Sequence, residues 1–209
     1  MKVAVICSNG KVGKLVVKEA FKRNFDVTAI ARNKNESIAN KFIKKDLFDL
    51  TKEDLKDFDI VVDAFGVFEN DMLYQHSKSL KHLCDILSQT NTRLYVVGGA
   101  GSLYTDKHHS TQLKDSNDFP EMYKPLANAQ SKALDELRKR TDVNWTFISP
   151  AMDFQVNGKR TGKYILGGEE LIFNSKGENF ISYEDYAIAM VDDFTKGNYI
   201  HQRICVIAE

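Results

Sequence analysis

Short runs of β-branched and aliphatic residues alternate along this chain with stretches in which apolar residues recur every three or four positions. Residues 3–6, 27–31, 42–45, 60–64, 94–97 and 145–148 form the first class, and each reads as a strand. Residues 14–23 place Leu15, Val16, Ala20 and Phe21 at helical spacing among lysines. Further helices are predicted over residues 73–88, with Leu80, Leu83, Cys84 and Leu87 on one face, and over residues 123–140. Strands that are apolar throughout, rather than alternating, belong in a parallel sheet covered on both faces. Right-handed crossovers through the intervening helices then give an α/β fold of the Rossmann type, a doubly wound, mostly parallel sheet with helices on both faces.

Beyond residue 150 the pattern changes. Gly158, Gly162, Gly167 and Gly168 punctuate short segments that predict loops and a hairpin formed by residues 163–166 and 171–174. Ser182 ahead of Tyr183-Glu184-Asp185 has the form of an N-cap followed by an acidic first turn. Residues 204–207 read as a last strand. No linker precedes this region, so residues 1–209 are expected to form a single domain, with residues 151–200 a dependent substrate-side lobe.

A chain of 209 residues can bury a sizeable core. Its 29 basic and 29 acidic residues cancel, which removes any general electrostatic reason to expect nucleic acid or a membrane surface as partner. Cys7, Cys84 and Cys205 are odd in number and far apart, which suggests neither a disulfide framework nor a metal site. Reduced thiols, no secretory leader pattern and no apolar stretch of spanning length predict a cytoplasmic protein. Oligomeric state is not legible.

The sharpest local signal is Cys7-Ser8-Asn9-Gly10-Lys11-Val12-Gly13, which follows the first strand and opens the first helix. A dinucleotide pyrophosphate needs backbone N–H groups aimed at it and no side chain in the way. Gly10 permits the close approach, Gly13 lets helix and strand pack tightly, and the helix N-terminus faces the anion. Cys7 stands where such a fingerprint has its first glycine. The competing reading is a tight strand–helix turn that binds nothing.

At the end of the second strand, Ala31-Arg32-Asn33 offers arginine where an acidic residue would bond the ribose hydroxyls of NAD. A guanidinium suits a 2′-phosphate, so NADP is favoured with NAD still open, against the alternative of an ordinary exposed turn arginine. Asp46 fits an adenine contact and an N-cap equally well. Gly66, Gly98 and Gly99 follow the fourth and fifth strands, at the sheet edge where ligands sit, and leave room for the nicotinamide.

Taken together, the chain resembles the atypical short-chain dehydrogenase/reductase group whose members are called NAD(P)H-binding or NADH–flavin reductase proteins. The resemblance spans nearly the whole length. It rests on the glycine turn, Ala29-Ile30-Ala31-Arg32-Asn33, Val62-Asp63-Ala64, Val97-Gly98-Gly99-Ala100-Gly101-Ser102-Leu103, and Asn144-Trp145-Thr146 with Ser149-Pro150-Ala151. It rests further on Arg160-Thr161-Gly162-Lys163-Tyr164 and Ile181-Ser182-Tyr183-Glu184-Asp185-Tyr186-Ala187, which with the Asn144–Ala151 block are more distinctive than the glycine turn. It implies a nicotinamide cofactor.

One departure bears on chemistry. Beyond the fifth strand the tyrosine–lysine pair spaced Y-x-x-x-K is not found, since Tyr123 is followed at that spacing by Ala127 and Tyr104 by His108. Without a lysine to lower the tyrosine pKa, protonation of a simple alkoxide is hard to arrange. A flavin or quinone stabilises its own charge on accepting hydride, which makes NADPH-dependent reduction of such an acceptor chemically coherent. A non-catalytic NADP-binding sensor is the alternative.

Ser102 and Tyr123 are the remaining polar candidates for catalysis, although Tyr123 reads first as a half-buried aromatic at a helix start. Lys132, His108 and His109 read as surface residues, and no metal is expected. Pro150 is expected to shape the loop over the cofactor, with Met152, Phe154 and Tyr164 lining an acceptor pocket.

Overall fold

The computed structural model describes all 209 residues. The first half runs β1 (Lys2–Ile6), α1 (Lys11–Lys22), β2 (Asp26–Ala31), β3 (Lys41–Lys44), α2 (Lys52–Leu55), β4 (Ile60–Asp63), α3 (Gln75–Leu87) and β5 (Arg93–Val97). The second runs α4 (Lys124–Leu137), β6 (Asn144–Ser149), β7 (Asp153–Gln155), β8 (Tyr164–Gly167), β9 (Phe180–Ser182), α5 (Tyr183–Lys196) and β10 (Gln202–Ala208). Eight strands form one sheet in the order β3-β2-β1-β4-β5-β6-β10-β8, parallel except for β8.

Alternation within each strand feeds two cores. Val3 and Val5 of β1 join Ile60 and Val62 of β4 and Tyr95 of β5 under α1 and α5. Ala4, Ile6, Val61, Leu94 and Val96 point the other way, against α3 and α4. Both faces are therefore covered, as continuous apolar strands require. The chain moves outward from β1 in one direction to β2 and β3, and from β4 in the other to β5 and β6. The strand order therefore reverses between β1 and β4, and a crevice opens there at the carboxyl edge.

The predicted hairpin is not formed. Residues 164–167 pair antiparallel with β10 instead, Cys205 opposite Gly167 and Ala208 opposite Tyr164, while residues 171–174 are irregular. The outermost position beside β10 offers a full ladder of backbone partners, which a short glycine-flanked hairpin cannot match. β7 and β9, absent from the sequence reading, make a separate two-stranded parallel pair.

The last helix begins as its sequence suggests. The Ser182 hydroxyl accepts the Asp185 N–H at 3.0 Å, Glu184 and Asp185 occupy the first turn, and Gly197 closes the C-terminus at φ 61°. Replacing Ser182 with Ala should cost about 1 kcal/mol of stability. Reversible urea unfolding reads this as a lower midpoint with an unchanged slope; an unmoved midpoint would show the cap to be dispensable.

Candidate functional site

The turn between β1 and α1 is tightly wound. Cys7 lies in the left-handed region at φ 57°, the conformation a glycine would adopt more readily, and its carbonyl accepts the Gly10 N–H at 2.9 Å. A Cβ on Gly13 would stand 2.6 Å from that same carbonyl oxygen, so only glycine lets α1 approach β1 this closely. Helix α1 then starts with no capping side chain and no acidic residue in its first turn. The amides of Lys11, Val12 and Gly13 have no acceptor within the chain. Three N–H groups and the positive end of the helix dipole are thus left for an external anion.

This turn borders a cleft of about 640 Å³ along the carboxyl edge. Five of the expected binding residues line it: Asn9, Gly10, Arg32, Asp46 and Gly66. Lys11, Val12 and Gly13 form the first turn of α1 beside it. Asn9 also ties down the loop after β2, donating to Lys34 O at 2.8 Å and accepting the Glu36 N–H at 3.0 Å. Arg32 extends into solvent, its side chain 79% exposed, with Nε 3.8 Å from the Asp46 carboxylate. Asp46 accepts the Phe48 N–H at 2.9 Å, so it is an N-cap as well as part of the wall. Lys45, Phe48 and Gln75 line the cleft too and were not singled out from the sequence.

Other expected residues lie elsewhere. Gly98 is held against the Phe147 ring and Gly99 against the Gln130 amide, so at both positions a Cβ would collide. Pro150 is buried at the end of β6. Ser102 is only 5% exposed, and the fully buried Arg203 guanidinium donates to its carbonyl at 3.2 Å and reaches its hydroxyl at 3.4 Å. Arg203 is in turn paired with Glu169. Tyr123 is 52% exposed, at the end of a short 3-10 turn that leads into α4, rather than half-buried. Neither Ser102 nor Tyr123 lines the cleft. Met152 is exposed, Phe154 packs on Tyr183 and Tyr186, and the Tyr164 hydroxyl donates to Asp192.

The distinctive blocks in the second half of the chain turn out to be a clamp. Asp185 accepts the Thr161 and Gly162 N–H groups and the Thr161 hydroxyl at 2.8–3.0 Å, with Gly162 at φ 75°. Arg160 pairs with Glu19 of α1 at 2.9 Å, and Glu19 pairs also with Arg23. These contacts fasten the loop before β8 to α1 and α5.

Asp63, the last residue of β4, was not anticipated as a site residue. It is 4% exposed and accepts one hydrogen bond, from the Phe65 N–H at 3.0 Å. Burial lifts its carboxyl from 3.8 to about 6, against the smaller opposing pull of that N–H. His76 faces the same small cavity and donates through Nε2 to Val67 O; burial holds its imidazole below the usual range. The Cys7 thiol is pushed up to about 12, by burial first and the Asp63 charge second, so it is not a nucleophile at neutral pH. No cluster of three or more His, Cys, Asp or Glu side chains is placed to hold a metal ion, and no helix is long and apolar enough to cross a membrane.

A glycine turn, an open helix N-terminus and a crevice at the strand-order reversal define a dinucleotide-binding α/β fold. The chain belongs to the NAD(P)H-binding family, which it matches over residues 8–195. It is 42% identical to the uncharacterized Bacillus subtilis protein YwnB over 214 aligned positions, 100% of this chain and 99% of that one. A Streptococcus pneumoniae protein whose crystal structure names it a "putative NADH-flavin reductase" is 53% identical and superimposes with a TM-score of 0.98 over the whole of both chains. A Bacteroides thetaiotaomicron protein named a "putative epimerase" is 32% identical, with a TM-score of 0.85 over 99% of this chain and 96% of that one.

The Asp63 charge has a consequence for stability. Between pH 4 and 6 the folded chain keeps a proton that the unfolded chain has released, so stability falls as pH rises through that window and stays reduced above it, by roughly 3 kcal/mol. Asp63→Asn should therefore be more stable than the parent at pH 7.5, with the advantage largely gone at pH 4.5. Urea midpoints at the two pH values decide this, and an equal difference at both would contradict it.

Proposed function

We propose that this protein is an NAD(P)H-dependent reductase that prefers NADPH and passes hydride directly to a flavin, quinone or similar conjugated acceptor. The observation that carries the reading is the uncapped first turn of α1, opening on a cleft of dinucleotide size with Arg32 on its wall. In this reading Lys11, Val12 and Gly13 supply N–H groups to the pyrophosphate, and Gly10 keeps the approach clear. Arg32 reads the 2′-phosphate, Asp46 borders the adenosine, and Gly66 leaves space on the cleft wall for the coenzyme. When bound, the dihydronicotinamide supplies the hydride; the protein positions it and excludes water. The name of the Streptococcus pneumoniae relative supports a flavin as acceptor.

The chain would act as a single coenzyme-binding domain in the cytoplasm, in keeping with three free, well-separated cysteines. One observation favours a second reading, a non-catalytic NADP-binding sensor. Ser102 is committed to Arg203 and Tyr123 stands out in solvent, so neither is poised as a proton donor at the cleft.

Purified protein with NADPH and FMN, FAD or a quinone should oxidise NADPH, seen as loss of absorbance in the reduced-nicotinamide band. Tight NADPH binding without turnover on any of these acceptors would transfer the weight to the sensor. Arg32→Ala should weaken NADPH by about tenfold or more while leaving NADH nearly unchanged, since a charged hydrogen bond is at stake only in the former. Equal losses for the two would take the 2′-phosphate away from Arg32. Gly13→Val should abolish binding of both coenzymes, because its side chain must displace the Cys7 carbonyl; retained affinity would move the phosphate seat elsewhere.

A further inference from the structure

Asp63 occupies an unusual position for an acidic residue. It sits in register beside Ile6 of β1 and Val96 of β5, at the carboxyl edge of the central strands, next to the point where strand order reverses. Its side chain turns toward α3 and α4, into a cavity of about 20 Å³ shared with Phe65, His76, Ser79, Gly98 and Gln130. That space is enough for one water molecule. Phe65 forms a wall of both this cavity and the large cleft, so a single ring separates the carboxyl from the coenzyme crevice.

A buried carboxylate normally persists only when a cation or several donors pair with it. Here Phe65 N–H is the one donor, and Oδ2 has no partner within the chain. The titratable groups around it do not neutralise it. From α3 come His76, its imidazole held below the usual range by burial and bonded to Val67 O, and Cys84, its thiol pushed up to about 12 by burial. From the turn after β1 comes Cys7, also a thiol, and α4 presents only the neutral Gln130. No lysine or arginine pairs with it.

On the reading that the crevice holds a nicotinamide coenzyme, we infer that the Asp63 carboxylate distinguishes the redox state of that coenzyme, favouring the cationic oxidised ring over the neutral reduced one. Transfer of a hydride, one hydrogen with two electrons, moves a negative charge to the acceptor and leaves the ring with a positive charge. A fixed negative charge behind Phe65 stabilises that change as it develops, without contacting the acceptor. It also biases the resting protein toward the oxidised coenzyme wherever Asp63 is ionised.

The test is a pair of binding titrations on the full chain, NADPH and NADP⁺, at pH 5 and pH 8, with wild type and Asp63→Asn. The 2′-phosphate is common to both ligands and cancels in the ratio of their dissociation constants. In the wild type the ratio of the NADPH constant to the NADP⁺ constant should rise by about tenfold or more between the two pH values, as the carboxyl gives up its proton. In Asp63→Asn it should stay near the wild-type value at pH 5.

A second measurement needs no variant. Calorimetry at pH 6 in two buffers of different ionisation enthalpy should detect more proton release on binding NADP⁺ than on binding NADPH, the 2′-phosphate contribution being common to both. A flat ratio in the wild type, an equal rise in Asp63→Asn, or equal proton release for the two ligands would overturn the inference while leaving the crevice reading intact. Failure of both coenzymes to bind would remove the crevice reading and this inference together.

Discussion

The contact on which the rest of the site depends is the approach of α1 to the end of β1, where Gly13 passes under the Cys7 carbonyl. Nothing larger than hydrogen fits there, and the backbone at Cys7 accepts a left-handed conformation, at a cost of order 1 kcal/mol, to make the turn. In return the helix axis is aimed along the carboxyl edge, with its first turn facing the crevice. A helix start without a cap forgoes about 1 kcal/mol of available stabilisation. That is tolerable because the body of α1 is secured elsewhere: Val16, Val17 and Ala20 are buried against the sheet, and Glu19 and Arg23 are tied to Arg160 and Asp192. The helix is held by its middle so that its mouth can stay open.

Much of this was legible in the residues. Strands such as Ile60-Val61-Val62-Asp63 are apolar on both faces because both faces are covered, and that pattern is local. The glycine turn was legible for the same reason, since strand, Gly10, Gly13 and helix follow one another directly. The hairpin expected at residues 163–174 failed because the partner of β8 is β10, about 40 residues further on. A short glycine-flanked run carries no record of which distant strand it will join.

The site was legible only in part for a related reason. Arg32 and Asp46 stand at strand ends, where position alone suggests a role, and they do border the cleft. Ser102 also follows a strand, but its neighbour Arg203 comes from the far end of the chain, and no spacing within the sequence announces that pairing. The block Arg160-Thr161-Gly162 was distinctive as a motif and silent as to purpose. Its partners, Glu19 and Asp185, lie on two different helices. Asp63 was hidden by its surroundings: one acid closing an apolar run reads as the end of a strand, and only the packing of α3 and α4 around it shows that its charge is unpaired.

The two charged ends of the crevice are built on different electrostatic terms. Arg32 is mostly solvated, so its pull on a phosphate is screened by water and by salt, and falls off within roughly 10 Å at 0.1 M ionic strength. Asp63 is buried, and a charge close to it acts through a medium of lower effective dielectric, where the same separation yields more energy. On the proposed reading, the end of the cleft that would choose between NADP and NAD is therefore the weaker and more adjustable one. The end proposed to respond to the ring would be the stronger, and it would owe that strength to the same desolvation that makes Asp63 costly to keep. In the reading advanced here, the protein gives up stability at β4 to gain a fixed charge beside the only part of the coenzyme whose charge changes.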